Sequence, residues 1–502
     1  MTADTAAHPT VPAAADEPAA HAADEPAPDQ PAAAHAAGGD AAPSREPVAS
    51  TDLAPGETRT ATGSIRTATG SIRIPAATAA IRTLGPDPAT APIMLHPGDA
   101  ISTARRVLYI VLLGALTALG PFTVDLYLPA FPVLERDFDT TAAAVQLTLT
   151  GTMIGFGLGQ LIVGPLSDKL GRRIPLLIVT GVHVVASVAA ALAPTLVLLG
   201  GARVLMGVGA AAGGVVAMAM VRDLFGGRRL VVMLSRLALV TGAAPVIAPL
   251  IGSALLSVMD WRGIFVVLAS YGVVMLGCAI FVLPETLPRA RRHDRGVTTM
   301  RQRYAAVFRD RIFIGVLIIG AMTFSGLFSY LSSSSFLFQQ TYGFNAQQYG
   351  LLFAANSIGL VIGNQIAARL AARFGPQWVL AFSTAVLVLA AAAIAVCDQL
   401  GAGLWGTIVP LFVFMSACGF TFPCVQVLSL DRHGKAAGTA ASLIGFSNNA
   451  VAGLISPLVG LIAHEAGITP TTMAVVMIGC AVVGVLSLWL VVRPRTVPQL
   501  TP

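Results

Sequence analysis

Two charged residues of opposite sign stand out because long apolar segments surround them. Asp125 lies in the first such segment, in the run GPFTVDLYLP, and Arg203 lies in the fourth. A carboxylate inside a membrane-spanning helix is costly and marks a functional site by default. Burial also favours the neutral form of a carboxyl group, so Asp125 is suited to binding and releasing a proton. The pattern therefore predicts proton-transfer chemistry at Asp125.

Asp125 and Arg203 are expected at similar depth, each about 9–10 Å from the predicted outer end of its helix. Opposite charges at matching depth should face the interior of the bundle. There Arg203 can pair with Asp125 and couple loss of the proton to substrate. Two alternatives stay open. Asp125 lies near enough to the outer end to touch water, and Arg203 reaches the outer interface with its long side chain.

A second group of charges lies in the segment 164–173, GPLSDKLGRR, between the second and third apolar segments. Its informative members are Gly164, Asp168, Gly171, Arg172 and Arg173. The glycines permit a tight turn and close helix approach. Asp223, after the fourth apolar segment, is expected to join Asp168 and Arg172 and to latch these helix ends in one state. Alternatively, the arginines serve only to set the orientation of the protein in the membrane. That role would explain the arginines but not the spacing of the glycines and the aspartate.

The fifth apolar segment contains two prolines four residues apart, Pro245 and Pro249, between Gly242 and Gly252. Proline cannot donate the helix hydrogen bond, so we expect a kink there. The small residues allow close packing against another helix. For a substrate cavity, the candidates are Tyr127, Asn448 and Asn449. Most neutral amides in the spans are expected to hold helices together, and the pair Asn448 and Asn449 is the best cavity candidate among them.

The elements that position these residues are membrane spans. Of the 502 residues, 55% are hydrophobic and 11% are charged, whereas a soluble domain carries about 25% charged residues. Segments of ~20 mostly apolar residues recur after residue 105. They predict an all-α polytopic membrane protein with twelve transmembrane helices in two six-helix halves. The predicted parts are a disordered N-terminal tail at 1–104, a first half at 105–283, a central cytoplasmic loop at 284–311, a second half at 312–492 and a C-terminal tail at 493–502.

The tail at 1–104 is rich in Ala, Pro and Thr and repeats the sequence RTATGSI twice. Such a segment cannot bury enough apolar surface to offset its ordering entropy. Basic residues concentrate in alternate loops and at both flanks of the helical region, which predicts that both termini are cytoplasmic. The loops and flanks that place them there carry Arg105, Arg106, Lys169, Arg172, Arg173, Arg222, Arg228, Arg229, Arg289, Arg291, Arg292, Arg295, Arg301, Arg303, Arg309, Arg493 and Arg495.

Several classes of function are disfavoured. The net charge of +6 comes from these loop residues rather than from a basic face with stacking aromatics, so a nucleic-acid partner is not expected. The five cysteines form no CxxC pair, so we predict no metal site and no disulfide. A phosphate-binding loop of the GxxxxGK[ST] type is absent from the sequence. Neither a nucleophile–base pair nor an HExxH-like metal motif indicates an enzyme.

The segment 164–173 resembles the signature loop of the major facilitator superfamily, Gly-x-x-x-Asp-x-x-Gly-Arg-Lys/Arg. Further runs narrow the resemblance to the bicyclomycin/chloramphenicol-resistance family of drug:proton antiporters, over about residues 106–492. These runs are DLYLPAFP from Asp125, MVRDLF from Met220, PETLP from Pro284 and GTAAS from Gly438. The fifth segment is similar to the antiporter pattern Gly-x-x-x-Gly-Pro-x-x-Gly-Gly, with Ala244 and Ser253 in place of two glycines.

This resemblance implies the major facilitator fold, with two halves rocking around a central cavity. It makes Asp125 the acidic residue of the first span and Arg203 the arginine of the fourth, although Met206 stands where a glutamine is common. We expect a monomer in the cell (inner or plasma) membrane that exports small amphiphilic drug-like compounds in exchange for protons. It would use the proton gradient and no cofactor. A metabolite exporter or symporter on the same fold, and a membrane sensor that does not transport, remain alternatives.

Overall fold

The computed structural model describes residues 66–67, 70–71, 101–292, 305, 307–431, 437–463 and 467–497. Most of the predicted tail and of its repeat, together with Arg295, Arg301 and Arg303 of the central loop, lies outside the described residues, whereas the last two residues of the predicted tail, Thr103 and Ala104, already belong to the first helix. The chain divides into units 1–92 and 93–502. In the first, the described residues form an antiparallel pair, β1 (Arg66–Thr67) with β2 (Gly70–Ser71).

In the described part of the second unit, twelve helices are long and apolar enough to cross a membrane, which confirms the predicted spans. The first half comprises α1 (Thr103–Asp125), α2 (Phe131–Asp137), α3 (Ala142–Leu170), α4 (Arg173–Ala191), α5 (Leu196–Leu224), α6 (Gly227–Leu255) and α7 (Trp261–Phe281). The second comprises α8 (Arg311–Phe336), α9 (Ala346–Phe374), α10 (Pro376–Gln399), α11 (Gly403–Leu430), α12 (Ala437–Ile455), α13 (Leu458–Ala463) and α14 (Pro470–Leu486). Spans one and eleven each consist of two helices. The helical form pairs the backbone polar groups within each span, as the apolar interior of a membrane requires.

The first span is interrupted just past Asp125. Pro129 lies four residues later and cannot donate a backbone hydrogen bond to the Asp125 carbonyl. As a result α1 ends at Asp125, a short 3₁₀ turn covers Leu128–Ala130, and α2 continues the span. The span is therefore longer than predicted, and Asp125 lies further from its outer end than expected.

The two halves repeat one packing arrangement. α3 crosses α5 at Gly155 and Gly207, and α9 crosses α11 at Gly363 and Gly419. A Cβ atom at any of these four positions would overlap backbone atoms of the opposite helix. Only glycine permits so close an approach. The two pairs are spans two and four of each half, so the shared contact reflects the same six-helix arrangement on both sides.

The halves are joined at the predicted outer end of the bundle. Gln340 donates from its side-chain amide to the Glu135 carboxylate at 2.6 Å, and Gln339 donates to the Pro129 carbonyl at 3.0 Å. Further in, the Thr150 hydroxyl of α3 donates to a carbonyl of α12 at 2.7 Å. The structure is therefore closed at this end.

Gln146 is the most completely buried of these links, with no exposed surface. Its side-chain nitrogen donates to the Ser332 carbonyl at 3.2 Å, and its side-chain oxygen accepts from the Gly460 N–H at 3.2 Å. Gly460 lies in the first turn of α13, where a helix leaves backbone N–H groups without partners of its own. One side chain of the first half thus forms hydrogen bonds with backbone groups of two helices in the second half.

Alanine at Gly207 should lower the melting temperature of the detergent-purified protein, because its methyl group would overlap the Thr152 carbonyl of α3. Overpacking of this kind costs about 1–3 kcal/mol. The matched control is Gly201→Ala in the same helix, where a Cβ atom meets open space and alanine is the better helix former. Equal melting temperatures for the two variants would contradict the close contact of α3 with α5.

Candidate functional site

Asp125 is buried where α1 ends, with 4% of its surface exposed. The C-terminal end of a helix carries partial negative charge, so this is a poor place for an anion. Burying a carboxyl group without a cationic partner costs less when it carries a proton. The site therefore suits the protonated form in this conformation.

Arg203 is fully buried in α5, but it does not form the expected ion pair with Asp125. Its Nη1 donates to the Thr123 carbonyl at 2.7 Å instead. That carbonyl belongs to the last turn of α1, where carbonyls lack helical partners. The carbon at the centre of the guanidinium lies 4.5 Å from the ring centre of Tyr127 and 5.8 Å from that of Phe265. Arg203 thus caps α1 between two aromatic rings, and its full burial argues against the alternative that it reaches the outer interface.

The carboxyl group of Asp125 lies within electrostatic range of the second half. Its charge acts on the hydroxyl groups of Tyr330 in α8 and Tyr349 in α9. Tyr330 accepts a hydrogen bond from the Asn356 side chain at 3.1 Å, which leaves its own O–H free to donate. Tyr349 is 2.9 Å from the Ser334 hydroxyl. Asp125 therefore lies near the boundary between the two halves. The sequence could not reveal this, because the two tyrosines are far from Asp125 along the chain.

The three cavity candidates do not come together. Tyr127 has no exposed surface, and its hydroxyl is 3.1 Å from that of Thr148. Asn449 is buried and donates to the Gly445 carbonyl of its own helix at 2.7 Å. Asn448 is partly exposed, but its side-chain oxygen is buried and has no hydrogen-bond partner among the described residues. Of the three candidates, Asn448 alone keeps a polar atom that a ligand could engage.

The antiporter helix α6 runs through both prolines without a break. A Cβ atom at Gly252 would overlap the Leu126 carbonyl, so this glycine lets α6 pack against the turn after Asp125. Ser357 of α9 lies with its hydroxyl 3.5 Å from the Pro245 carbonyl, and Pro249 faces Gly350. Gly242, in contrast, has open space around it. The expected close packing is therefore found at Gly252 but not at Gly242. The kink stays a prediction.

The charge cluster forms as the sequence predicts. Arg172 Nη1 is 2.6 Å from Asp168 Oδ1, and its Nε is 2.9 Å from Asp223 Oδ2. Burial lowers the pKa of Arg172, but hydrogen bonds and charges of the two carboxylates more than offset this, so its pKa is raised above the ordinary value. The turn depends on Gly171, whose φ of 95° is disfavoured for other residues. Gly164 lies nearby on α3, facing Val215 of α5.

Glu285 completes this cluster, and residue-by-residue reasoning missed it. Its carboxylate accepts from the backbone N–H groups of Arg172 at 2.8 Å and Arg173 at 3.3 Å, at the start of α4. A carboxylate stabilises a helix N-terminus through its free N–H groups and its dipole. Arg292 lies 3.5 Å from the same carboxylate, and the Arg173 guanidinium donates to the Ile280 carbonyl. The PETLP run was the signal that could have identified it.

Replacing Glu285 with glutamine should loosen the start of α4, because a neutral amide is a weaker acceptor for two backbone N–H groups. Hydrogen exchange followed by mass spectrometry should show faster exchange in peptides that contain residues 171–175. Arg289→Gln, an exposed change in the same segment, is the control and should leave these peptides at the wild-type rate. Unchanged exchange in Glu285→Gln would show that the contact does not hold the helix end.

Comparison with known proteins agrees with this architecture. The family model described as Major Facilitator Superfamily matches residues 112–457 and 334–502. An uncharacterized MFS-type transporter YdgK of Bacillus subtilis is 33% identical over 78% of this chain and 97% of its own length. A bicyclomycin resistance protein homolog of Haemophilus influenzae is 28% identical over 76% and 95%. Multidrug resistance protein D of Escherichia coli is 26% identical over 75% and 95%.

Solved structures share the fold at low sequence identity. A D-xylose-proton symporter aligns with a TM-score of 0.61 and 16% identity, over 78% of this chain and all of its own. A bacterial homolog of the human lysosomal transporter Spinster, inward-facing and unoccupied, aligns with a TM-score of 0.61 and 14% identity, over 80% and 100%. The resemblance inferred from the signature loop is confirmed. The chain is a membrane transporter rather than an enzyme, and it belongs to the Major Facilitator Superfamily.

Proposed function

We propose that this transporter exports small amphiphilic, drug-like compounds from the cell in exchange for protons. The observation that carries the proposal is Asp125, a buried carboxyl group without an ion-pair partner among the described residues, at the break of the first span. A group so placed binds a proton readily and exposes it to one side or the other as the halves move. Relatives named for bicyclomycin and multidrug resistance support drugs as the substrate class.

Asp125 links the proton to the movement of the halves. It lies in the first half, within electrostatic range of Tyr330 and Tyr349 of the second. In the conformation closed at the predicted outer end, a neutral Asp125 is buried near these phenols at low cost. Loss of the proton would leave a buried charge between the halves and favour their separation at this site. The Arg172 cluster at the other end holds spans of the first half together, so that half moves as one body.

The remaining assignments follow from the same proposal. The compound would cross between the halves, with Asn448 as a polar contact in the cavity. The protein would act as a monomer in the cell membrane with both termini in the cytoplasm, driven by the proton gradient without a cofactor. Prolines 245 and 249 would let α6 adjust as it moves past Gly350 of α9.

Asp125→Asn should abolish drug-driven proton movement, because an amide cannot release a proton. Inside-out membrane vesicles, energised so that their interior is acidic, carry a fluorescent probe of the pH difference. Adding a drug such as chloramphenicol to wild-type vesicles should move protons out and restore the quenched fluorescence. Asp260→Asn is the matched control, since Asp260 caps α7 at an exposed position that asparagine also suits.

The possible outcomes separate the alternatives. Proton movement that survives in Asp125→Asn would place the proton site elsewhere. In these vesicles, further acidification on adding a compound would indicate symport. A wild type that responds to a panel of metabolites but to no drug would retain proton coupling and replace the proposed substrate class.

A further inference from the structure

His183 is a fully buried histidine that the proposed transport cycle does not use. It lies in α4, and its Nε2 is 2.9 Å from the hydroxyl oxygen of Thr123 in α1. Thr123 lies two residues before Asp125 and offers its carbonyl to Arg203 at 2.7 Å. His183 is therefore one hydrogen bond away from the residue that holds Arg203.

The hydrogen bond between His183 and Thr123 has a definite direction. The Thr123 hydroxyl has one hydrogen, which it donates to the Leu119 carbonyl at 2.7 Å. Nε2 of His183 must then carry the hydrogen that the Thr123 oxygen accepts. On the other side of the ring, the Ser187 hydroxyl donates to the His183 carbonyl at 2.7 Å and lies 3.4 Å from Nδ1. A neutral imidazole with its hydrogen on Nε2 meets these contacts.

Neighbouring helices approach α4 closely at His183. A Cβ atom at Gly209 of α5 would lie 2.6 Å from the His183 Cβ, and one at Gly272 of α7 would lie 2.8 Å from a methyl group of Val184 and 3.4 Å from Nδ1 of His183. Both glycines therefore let their helices pack against α4 beside this histidine. The positive charge of Arg203 also acts on His183, which makes a second positive charge there costly. The enclosure suits a neutral ring in one orientation.

Arg203 has a second potential partner within the same region. Its Nε and Nη2 have no hydrogen-bond acceptor among the described residues. If the end of α1 shifted, the guanidinium would lose the Thr123 carbonyl, and the carboxylate of Asp125, two residues further along the same helix end, would offer it a charged acceptor. An Asp125–Arg203 pair would stabilise the charged carboxylate and hinder its protonation.

We propose that His183 is a positioning residue that, as a neutral hydrogen-bond donor, holds Thr123 and so keeps Arg203 away from Asp125. The inference rests on the proton site proposed at Asp125. It assigns a specific task to a histidine of the third span, and it requires the donor atom Nε2–H rather than a change of charge on the ring.

The test measures the neutral form of Asp125 directly. Dicyclohexylcarbodiimide reacts with protonated carboxyl groups in apolar surroundings, and mass spectrometry of the purified protein, labelled at a series of pH values, quantifies the labelled Asp125 peptide. Asp125→Asn identifies the labelled position. His183→Leu and Thr123→Val each remove one side of the hydrogen bond. His183→Gln and Thr123→Ser keep a donor and a hydroxyl, and Ser187→Ala is the control for the other side of the ring.

We expect the pH at which labelling falls by half to be about one pH unit lower in His183→Leu and in Thr123→Val than in the wild type, because a cation that pairs with the carboxylate weakens its hold on the proton. The double variant should shift this midpoint no further than either single one, because both remove the same bond. His183→Gln, Thr123→Ser and Ser187→Ala should keep the wild-type midpoint. Thr123→Val is nearly isosteric, so it tests the bond even where leucine at His183 prevents folding.

Three results would overturn the proposal. Wild-type labelling in Thr123→Val would show that the bond does not affect Asp125. A shift in His183→Gln equal to that in His183→Leu would show that a neutral donor at this position does not hold Thr123 in place. A wild type whose Asp125 is unlabelled at every pH would leave no proton for His183 to protect. No drug is present in this experiment, so a failed efflux assay rejects the proposed substrates without affecting this result.

Discussion

The hydrogen bond from Arg203 to the Thr123 carbonyl fixes the end of α1, where the first span is interrupted. Pro129 forces that break by removing a backbone donor, and the last turn of α1 then presents unpaired carbonyls inside the bundle. The buried guanidinium of Arg203 donates a hydrogen bond to one of these carbonyls, and the rings of Tyr127 and Phe265 lie beside it. Because Arg203 donates to this carbonyl, it does not pair with Asp125, whose carboxyl group has no cationic partner among the described residues.

The charge cluster at the opposite end connects helices that the sequence separates widely. Arg172 joins the end of α3 to Asp223 at the end of α5, while Glu285 joins the start of α4 to the segment after α7. Partial burial strengthens these contacts relative to an exposed ion pair, whose net value is near zero to about 1 kcal/mol. The cluster thus ties the spans of the first half to the beginning of the connection between the halves.

The outer contacts have a different character. They are hydrogen bonds between neutral amides, hydroxyls and backbone carbonyls, apart from the Glu135–Gln340 contact. Each such bond contributes about 0.5–1.5 kcal/mol net, so a seam made of a few of them can open in a working cycle. The glycine crossings of α3 with α5 and of α9 with α11 join helices of the same half and are expected to persist. Strong packing within each half and weaker bonds between the halves are what rigid-body rocking requires.

The sequence by itself determined the twelve spans, because length and hydropathy decide what a membrane accepts. It also determined the cluster of Asp168, Arg172 and Asp223, because short loops leave helix-end charges few other partners. Tertiary structure decided the partner of Arg203, since matching depth in two helices does not specify which way each side chain points. It also brought Glu285, His183, Tyr330 and Tyr349 to the two sites. In several of these contacts the partner is a backbone carbonyl or N–H group. Every residue has such groups, so the sequence cannot show which of them a side chain will bind, and the packing of the helices decides it.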